Sequence, residues 1–104
     1  MQIQVNTDKN IAGSEELQQQ VEGVVEGHLG RFGDRITRVE VHLNDVNGDK
    51  SGDDDNRCVM EARLAGMQPI TATHQADTLE QALDGAARKV QRLLDTTLEK
   101  SRGY

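Results

Sequence analysis

Aromatic side chains are nearly absent from this sequence. Phe32 and Tyr104 are the only two among 104 residues, and there is no tryptophan. Platforms that stack nucleic-acid bases, and cages that hold quaternary ammonium groups, are both built from aromatic rings. The composition therefore excludes almost every function that depends on aromatic stacking.

Cysteine and long apolar runs are also scarce. Cys58 is the only cysteine, so an internal disulfide is impossible and a reducing compartment is favoured. No apolar run approaches the length of a membrane span, and the chain begins "MQIQVN", without the charged and apolar regions of a signal peptide. We expect a cytoplasmic protein that does not bind a membrane.

Basic residues are outnumbered by acidic ones. The chain carries 18 acidic and 12 basic residues, which gives a formal net charge of −6. Five aspartates and one lysine lie in "NDVNGDKSGDDDN", residues 44–56. This balance disfavours anionic partners unless basic residues gather on one local face. With no internal repeat, the length predicts a single domain over residues 1–104, with an acidic loop at 44–56 and a flexible tail at 101–104.

The first 30 residues predict a strand followed by a helix. Ile3 and Val5 alternate with polar residues, the period of a half-buried strand. Ser14 is a good N-cap, and apolar residues then recur at helical spacing, which predicts a helix to about Gly30. Three glycines, at positions 23, 27 and 30, also share that spacing, so either a neighbour approaches this face closely or the helix is weak toward its end.

The remaining residues predict three strands and a long helix. Alternation in "ITRVEVHL", "RCVMEARLAG" and "MQPITATHQ" predicts two successive hairpins, with the last turn at residues 65–68. Asp77 and Glu80 have the spacing of a capping box. An apolar stripe of about six turns accompanies it, formed by Leu79, Ala82, Leu83, Ala86, Val90, Leu93, Leu94 and Leu98. The order β-α-β-β-β-α predicts an α+β two-layer sandwich, with two helices on one face of a four-stranded sheet and the other face open.

Two passages resemble a known family. The order of elements, "FGDRITRVEVHL" and "ALDGAARKVQRLL" are similar to the ribosome hibernation promoting factors, also described as ribosome-associated inhibitor or sigma-54 modulation proteins. The resemblance covers nearly the whole chain, in the short form without an additional C-terminal dimerisation domain. No single motif is specific, and the resemblance rests on several positions taken together. These are an Asp-x-Ile pair at Asp34 and Ile36, an Ala-hydrophobic-Asp run at residues 82–84, Lys89, and a basic position at Arg92.

The resemblance implies a non-catalytic factor. Such a factor binds the small ribosomal subunit and its ribosomal RNA under stress or in stationary phase, and it stabilises inactive ribosomes. Lys and Arg side chains would contact phosphates. The positions that match the family's basic second helix, or lie beside them, are Arg88, Lys89, Arg92, Lys100 and Arg102. The chain departs from the family in helix one, where Glu22, Glu26 and His28 stand in place of lysines.

Two alternatives use other residues. A divergent paralogue that no longer binds RNA would bind a basic or other protein through its acidic loop or through the open sheet face, formed by Arg38, Glu40, His42, Glu61 and Arg63. A weak calcium-loop pattern is formed by Asp45, Asn47, Asp49, Ser51 and Asp53. That pattern lacks the glycine at its sixth position and the glutamate at its twelfth, so we expect no metal and no cofactor.

Catalytic patterns are lacking. The sequence has no phosphate-cradling glycine loop and no nucleophile elbow. Its three histidines lack ligand spacing and are interpreted as packing and surface residues. Cys58 alternates with apolar residues on a core-facing stripe, which favours a small buried hydrophobe over a nucleophile. We predict that the chain is not an enzyme.

Overall fold

The computed structural model describes residues 1–8, 11–46 and 56–100, without the side chain of residue 100. The predicted acidic loop lies mostly outside this range, as does the predicted tail at residues 101–104. The described elements, in order, are β1 (Gln2–Thr7), α1 (Glu15–Leu29), β2 (Ile36–Asp45), β3 (Asn56–Leu64), β4 (Ile70–Ala76) and α2 (Leu79–Lys100). This is the predicted β-α-β-β-β-α order, so the fold prediction is confirmed.

One mixed sheet holds the four strands in the order β1-β2-β3-β4. β1 runs parallel to β2, whereas β2, β3 and β4 form the two predicted antiparallel hairpins. Alternate residues of β2 and β3 are fully buried, among them Val39, Val41 and Met60, and they face the helices. The residues between them form the other face of the sheet, which neither helix covers.

The core lies between the sheet and the two helices. Val21, Val25 and Leu29 contribute from α1, and the largest contributions from α2 include Leu83 and Leu94. Burying each such side chain contributes about 1.5–3 kcal/mol relative to leaving it exposed. Leu93 is an exception, because it belongs to the predicted apolar stripe of α2 but is 44% exposed.

The helix ends differ in how well the sequence predicts them. Ser14 caps α1 as predicted, since its side chain accepts a hydrogen bond from the Leu17 amide at 3.0 Å. α2 is capped by Thr78, whose Oγ1 accepts from the Gln81 amide at 3.1 Å. The cap predicted at Asp77 is therefore wrong by one residue. Both positions have a Glu or Gln three residues later, so the spacing alone does not distinguish them.

The glycines of α1 lie in open space. A Cβ added at Gly23, Gly27 or Gly30 would meet nothing within 4 Å. Within the described part of the chain no neighbour approaches this face closely, which contradicts that interpretation of the glycine spacing. The helix nevertheless continues to Leu29, where a 3₁₀ segment, Gly30–Arg35, leads into β2. Below, this segment is called the α1–β2 connection.

Candidate nucleic-acid interface

Three of the five predicted RNA-binding residues share one side of α2. The three are Arg88, Lys89 and Arg92, which lie within about one turn of each other and are all exposed. The side of the helix that they occupy is the outer face of α2. The opposite side of α2 carries buried residues such as Val90 and Leu94. The side chains of the other two predicted residues, Lys100 and Arg102, lie outside the described residues.

The three cations differ in how much of their charge is already engaged. Arg88 donates to Asp84 Oδ2 at 3.1 Å, and its side chain is 59% exposed. Lys89 donates through Nζ to the carbonyl of Thr73 on β4 at 2.9 Å. An ammonium has three donors, so this contact leaves others for a ligand. Arg92 forms no ion pair within the described residues, which leaves its guanidinium available for a phosphate.

Asp84 connects the outer face of α2 to α1. Its Oδ1 lies 2.9 Å from His28 Nε2, while Oδ2 accepts the bond from Arg88. The second ring nitrogen of His28 lies 3.0 Å from Gln91 Oε1. His28 therefore joins α1 to two positions of α2, and the prediction that it is a packing residue understates its role. Sequence reasoning missed this tether because its partners are 56 and 63 residues away along the chain.

His74 reaches onto the surface of α2 at a glycine. A Cβ added at Gly85 would overlap the imidazole ring of His74, so the ring occupies the space that a side chain would fill. A shallow groove of about 320 Å³ opens at this point. It is lined by His74, Gln81, Asp84, Gly85, Arg88, Lys89 and Arg92. Arg88, Lys89 and Arg92 therefore line the same groove as the histidine.

The α1–β2 connection adds two arginines that sequence reasoning missed. The guanidinium of Arg31 lies 4.8 Å from the centre of the Phe32 ring and donates to both oxygens of Asp95 on α2, at 2.5 and 2.6 Å. Arg35 is exposed and lines the same depression as these residues. The signal available in the sequence was the pair of arginines in "RFGDR" directly after the helix.

The outer face of α1 has the opposite charge. Glu15, Glu16 and Glu26 are exposed, and Glu22 is partly exposed. No lysine or arginine lies within α1. The two helices therefore differ in charge. α1 contains no lysine or arginine, whereas α2 contains four acidic and four basic residues, and three of the basic ones, Arg88, Lys89 and Arg92, are close together near its middle. A polyanion would be repelled by α1 and attracted to this cluster of cations on α2.

The open sheet face carries the alternative site, and its charges neutralise one another. Glu40 lies 3.7 Å from Arg38 and 3.4 Å from Arg63, and Arg63 also donates to Glu61 at 3.0 Å. His42 is 4.0 Å from Glu40. All five residues predicted for this face lie together on β2 and β3. Because acids and bases are interleaved, this face is less suited to a phosphate backbone than the outer face of α2 is.

Within residues 1–8, 11–46 and 56–100 the structure offers no site for metal binding or for cysteine chemistry. Of the weak calcium pattern only Asp45 is described, and the described residues contain no cluster of three potential ligands. Cys58 is fully buried, which confirms its predicted place in the core. Burial raises the pKa of its thiol to about 12, so it remains protonated at neutral pH.

Solved structures with this fold include ribosome-related proteins. The chain superposes with a TM-score of 0.76 on a ribosomal subunit interface protein from Coxiella burnetii, at 16% identity over 95% of this chain and 99% of that one. The N-terminal domain of Protein Y from Thermus thermophilus gives a TM-score of 0.73, at 18% identity over 93% of this chain and 99% of that one. At such low identity the likeness establishes the fold alone. No curated protein sequence matches the chain significantly.

Residues 3–102 match the sigma 54 modulation protein / S30EA ribosomal protein family, so the chain belongs to that family. The resemblance inferred from the sequence is confirmed. Members of the family are ribosome-associated, non-enzymatic factors, which confirms that the chain is not an enzyme. Within the described residues, neither helix is long and apolar enough to cross a membrane.

Proposed function

We propose that this protein binds the small ribosomal subunit through the outer face of α2 and stabilises inactive ribosomes under stress or in stationary phase. The observation that carries the proposal is the exposure of Arg88, Lys89 and Arg92 together on one helix surface of a ribosome-associated family member. Their ligand would be the phosphate backbone of ribosomal RNA. We also propose a cytoplasmic location, since that compartment holds the ribosomes.

The charge distribution supports one orientation on the RNA. Acidic residues on α1 would repel phosphates, so contact is expected along α2 and the α1–β2 connection. Arg31 and Arg35 would extend the contact toward the C-terminal half of α2, where Arg31 already pairs with Asp95. With so few cations, binding should be weak at physiological salt and should tighten strongly as the salt concentration falls.

Cosedimentation with ribosomes across a salt series tests this proposal. The variant replaces Arg88 and Arg92 with alanine, and the matched control replaces Arg38 and Arg63 on the open sheet face. Both variants lose two arginines, so they have the same net charge. We expect the α2 variant to bind the small subunit more weakly, with the slope of log affinity against log salt reduced by about two. Equal losses in both variants, or no binding of the wild type at low salt, would contradict the proposal.

A second candidate function is binding of a protein partner through the open sheet face. The observation that favours it is the ion-paired network of Arg38, Glu40 and Arg63 on a surface that neither helix covers. If this face is the functional one, the open-face control variant should lose its ligand and the α2 variant should keep it. The same pair of variants therefore distinguishes the two candidates.

A further inference from the structure

We propose that His74 is part of a phosphate-binding groove on α2 and makes the affinity for RNA increase as pH falls. The inference rests on the proposed function, because it concerns the same basic surface. It adds to the three cations of α2 a residue from β4, His74. It also adds a dependence of affinity on pH that arginine and lysine alone would not give.

The position of His74 supports a role in binding. β4 directs alternate residues toward the helices, and His74 is one of these, after Ile70 and Ala72. A fully buried ring could not contact a ligand, but this ring lies against α2 at Gly85, in the space that a side chain there would occupy. There it lines the same groove as Arg88, Lys89 and Arg92, and it is only partly buried.

The charged groups around the ring favour an anion. On α2 the groove has three cations and one acid, Asp84, whose two carboxylate oxygens are already engaged by His28 and Arg88. On β3 the residue paired with His74 is Cys58, whose raised pKa of about 12 leaves it uncharged. Gln81, the remaining polar residue of the lining, is neutral. No unengaged carboxylate lines the groove among the described residues.

The pH dependence follows from linkage. A phosphate that sits in the groove brings negative charge next to the imidazole and favours its protonated form. The imidazole would then take up a proton when the phosphate binds. Because binding is coupled to that proton uptake, the affinity for phosphate increases as pH falls. Among the residues that line the groove, His74 is the one with an imidazole, the side-chain type that can exchange a proton near neutral pH, whereas arginine and lysine side chains are cationic there.

Affinity for the small ribosomal subunit at pH 6 and pH 8, at constant ionic strength, tests the inference. We expect the wild type to bind about fivefold to tenfold more tightly at pH 6. His74→Gln should reduce this ratio to below about twofold, while His42→Gln, on the open sheet face, keeps it. A variant that is merely less well folded would bind more weakly at both pH values, and the ratio of its affinities at pH 6 and pH 8 would stay the same. An unchanged ratio in His74→Gln overturns the role of His74 and leaves the proposed function standing.

A measurement on the wild type separates failure of the groove from failure of the function. Inorganic phosphate at millimolar concentration is added while the ring signals of the three histidines are followed by NMR. We expect the His74 signals to move, more at pH 6 than at pH 8, and those of His42 to stay in place. If the protein binds no ribosomal subunit yet His74 responds to phosphate, the proposed function fails and the groove remains an anion site. If His74 does not respond, the groove inference is wrong.

Discussion

The imidazole ring of His74 occupies the space that a side chain at Gly85 would need. Replacing a helical glycine with alanine normally stabilises a helix by about 1 kcal/mol. At Gly85 we expect the opposite, since the new Cβ would overlap the His74 ring. Gly85→Ala should therefore lower the free energy of unfolding, by about 1–3 kcal/mol, the usual cost of overpacking.

Gly23 and Gly27 on α1 provide the matched control, because an added Cβ meets nothing within 4 Å at either position. Each alanine there should raise the free energy of unfolding by about 1 kcal/mol. Urea denaturation of the three variants measures all these changes. In a His74→Ala background, Gly85→Ala should become stabilising. A loss of stability that persists in that background would mean that the ring is not the obstacle.

Cys58 leads to a prediction about alkaline pH. Burial raises the pKa of its thiol to about 12 from an ordinary value of 9.0. Between these values the unfolded chain loses the proton while the folded chain keeps it, so raising the pH favours unfolding. The stabilising contribution is complete below pH 9 and is lost progressively up to about pH 12, at roughly 1.4 kcal/mol per pH unit.

Urea denaturation at pH 8, 9 and 10 checks this expectation, with Cys58→Ala as the control. The difference in unfolding free energy between wild type and variant should shrink as pH rises, because the variant has no thiol to titrate. Native protein should also resist thiol reagents at pH 8 and react once unfolded. Rapid modification of the folded protein would show that the thiol is accessible and would contradict its place in the core.

At the scale of elements, the two helices are held together by a polar contact as well as by the core. His28 on α1 contacts Asp84 at 2.9 Å and Gln91 at 3.0 Å, both on α2. We expect His28→Ala to lower the free energy of unfolding by about 1–3 kcal/mol, because a charged and a neutral hydrogen bond are lost together. His42→Ala is the control, since His42 lies on the open sheet face and should change stability by less than about 0.5 kcal/mol.

A double-mutant cycle between positions 28 and 84 isolates the tether. If the contact is formed in solution, His28→Ala and Asp84→Asn should together cost less than the sum of their separate effects. Strict additivity would mean that the two side chains do not interact. A second cycle, between His28→Ala and Arg88→Ala, measures whether the loss of His28 changes the energetic contribution of Arg88, because Asp84 contacts both side chains.

The sequence predicts the elements better than it predicts the contacts between them. Alternation at period two identified the buried face of β2 because that strand meets the core on one side and solvent on the other. Spacing along α2 likewise identified its exposed basic residues. It failed for Leu93, which is 44% exposed although its neighbour Leu94 is fully buried, because spacing alone does not show how wide the covered part of a helix is. The groove at Gly85 and the pairing of Arg31 with Asp95 depend on residues far apart in the chain, and no local pattern contains them.

At the scale of the whole molecule, binding to a polyanion depends on where the charge lies as well as on its sum. The formal net charge is −6, yet the outer face of α2 is basic. Much of the excess comes from two places, the four glutamates of α1 and the aspartates of residues 44–56. Both should reduce the rate of encounter with RNA, each to an extent that depends on its distance from the bound phosphates.

Removing the aspartates separates these two contributions. Changing Asp49, Asp53, Asp54 and Asp55 to asparagine moves the formal net charge from −6 to −2 without altering chain length. We expect tighter binding to the small ribosomal subunit at low salt, because long-range repulsion is reduced. The gain should disappear near 1 M salt, where the screening length falls to about 3 Å.

The matched control changes the four glutamates of α1, residues 15, 16, 22 and 26, to glutamine, which gives the same net charge of −2. α1 lies beside α2 and is tethered to it by His28, so its charges are close to the proposed contact surface. We therefore expect the α1 variant to gain more affinity than the aspartate variant at low salt, and the difference should shrink as the salt concentration rises. If removing the aspartates instead weakens binding, these residues contact a basic component of the ribosome directly, and the acidic loop would be a second binding element of opposite charge to α2.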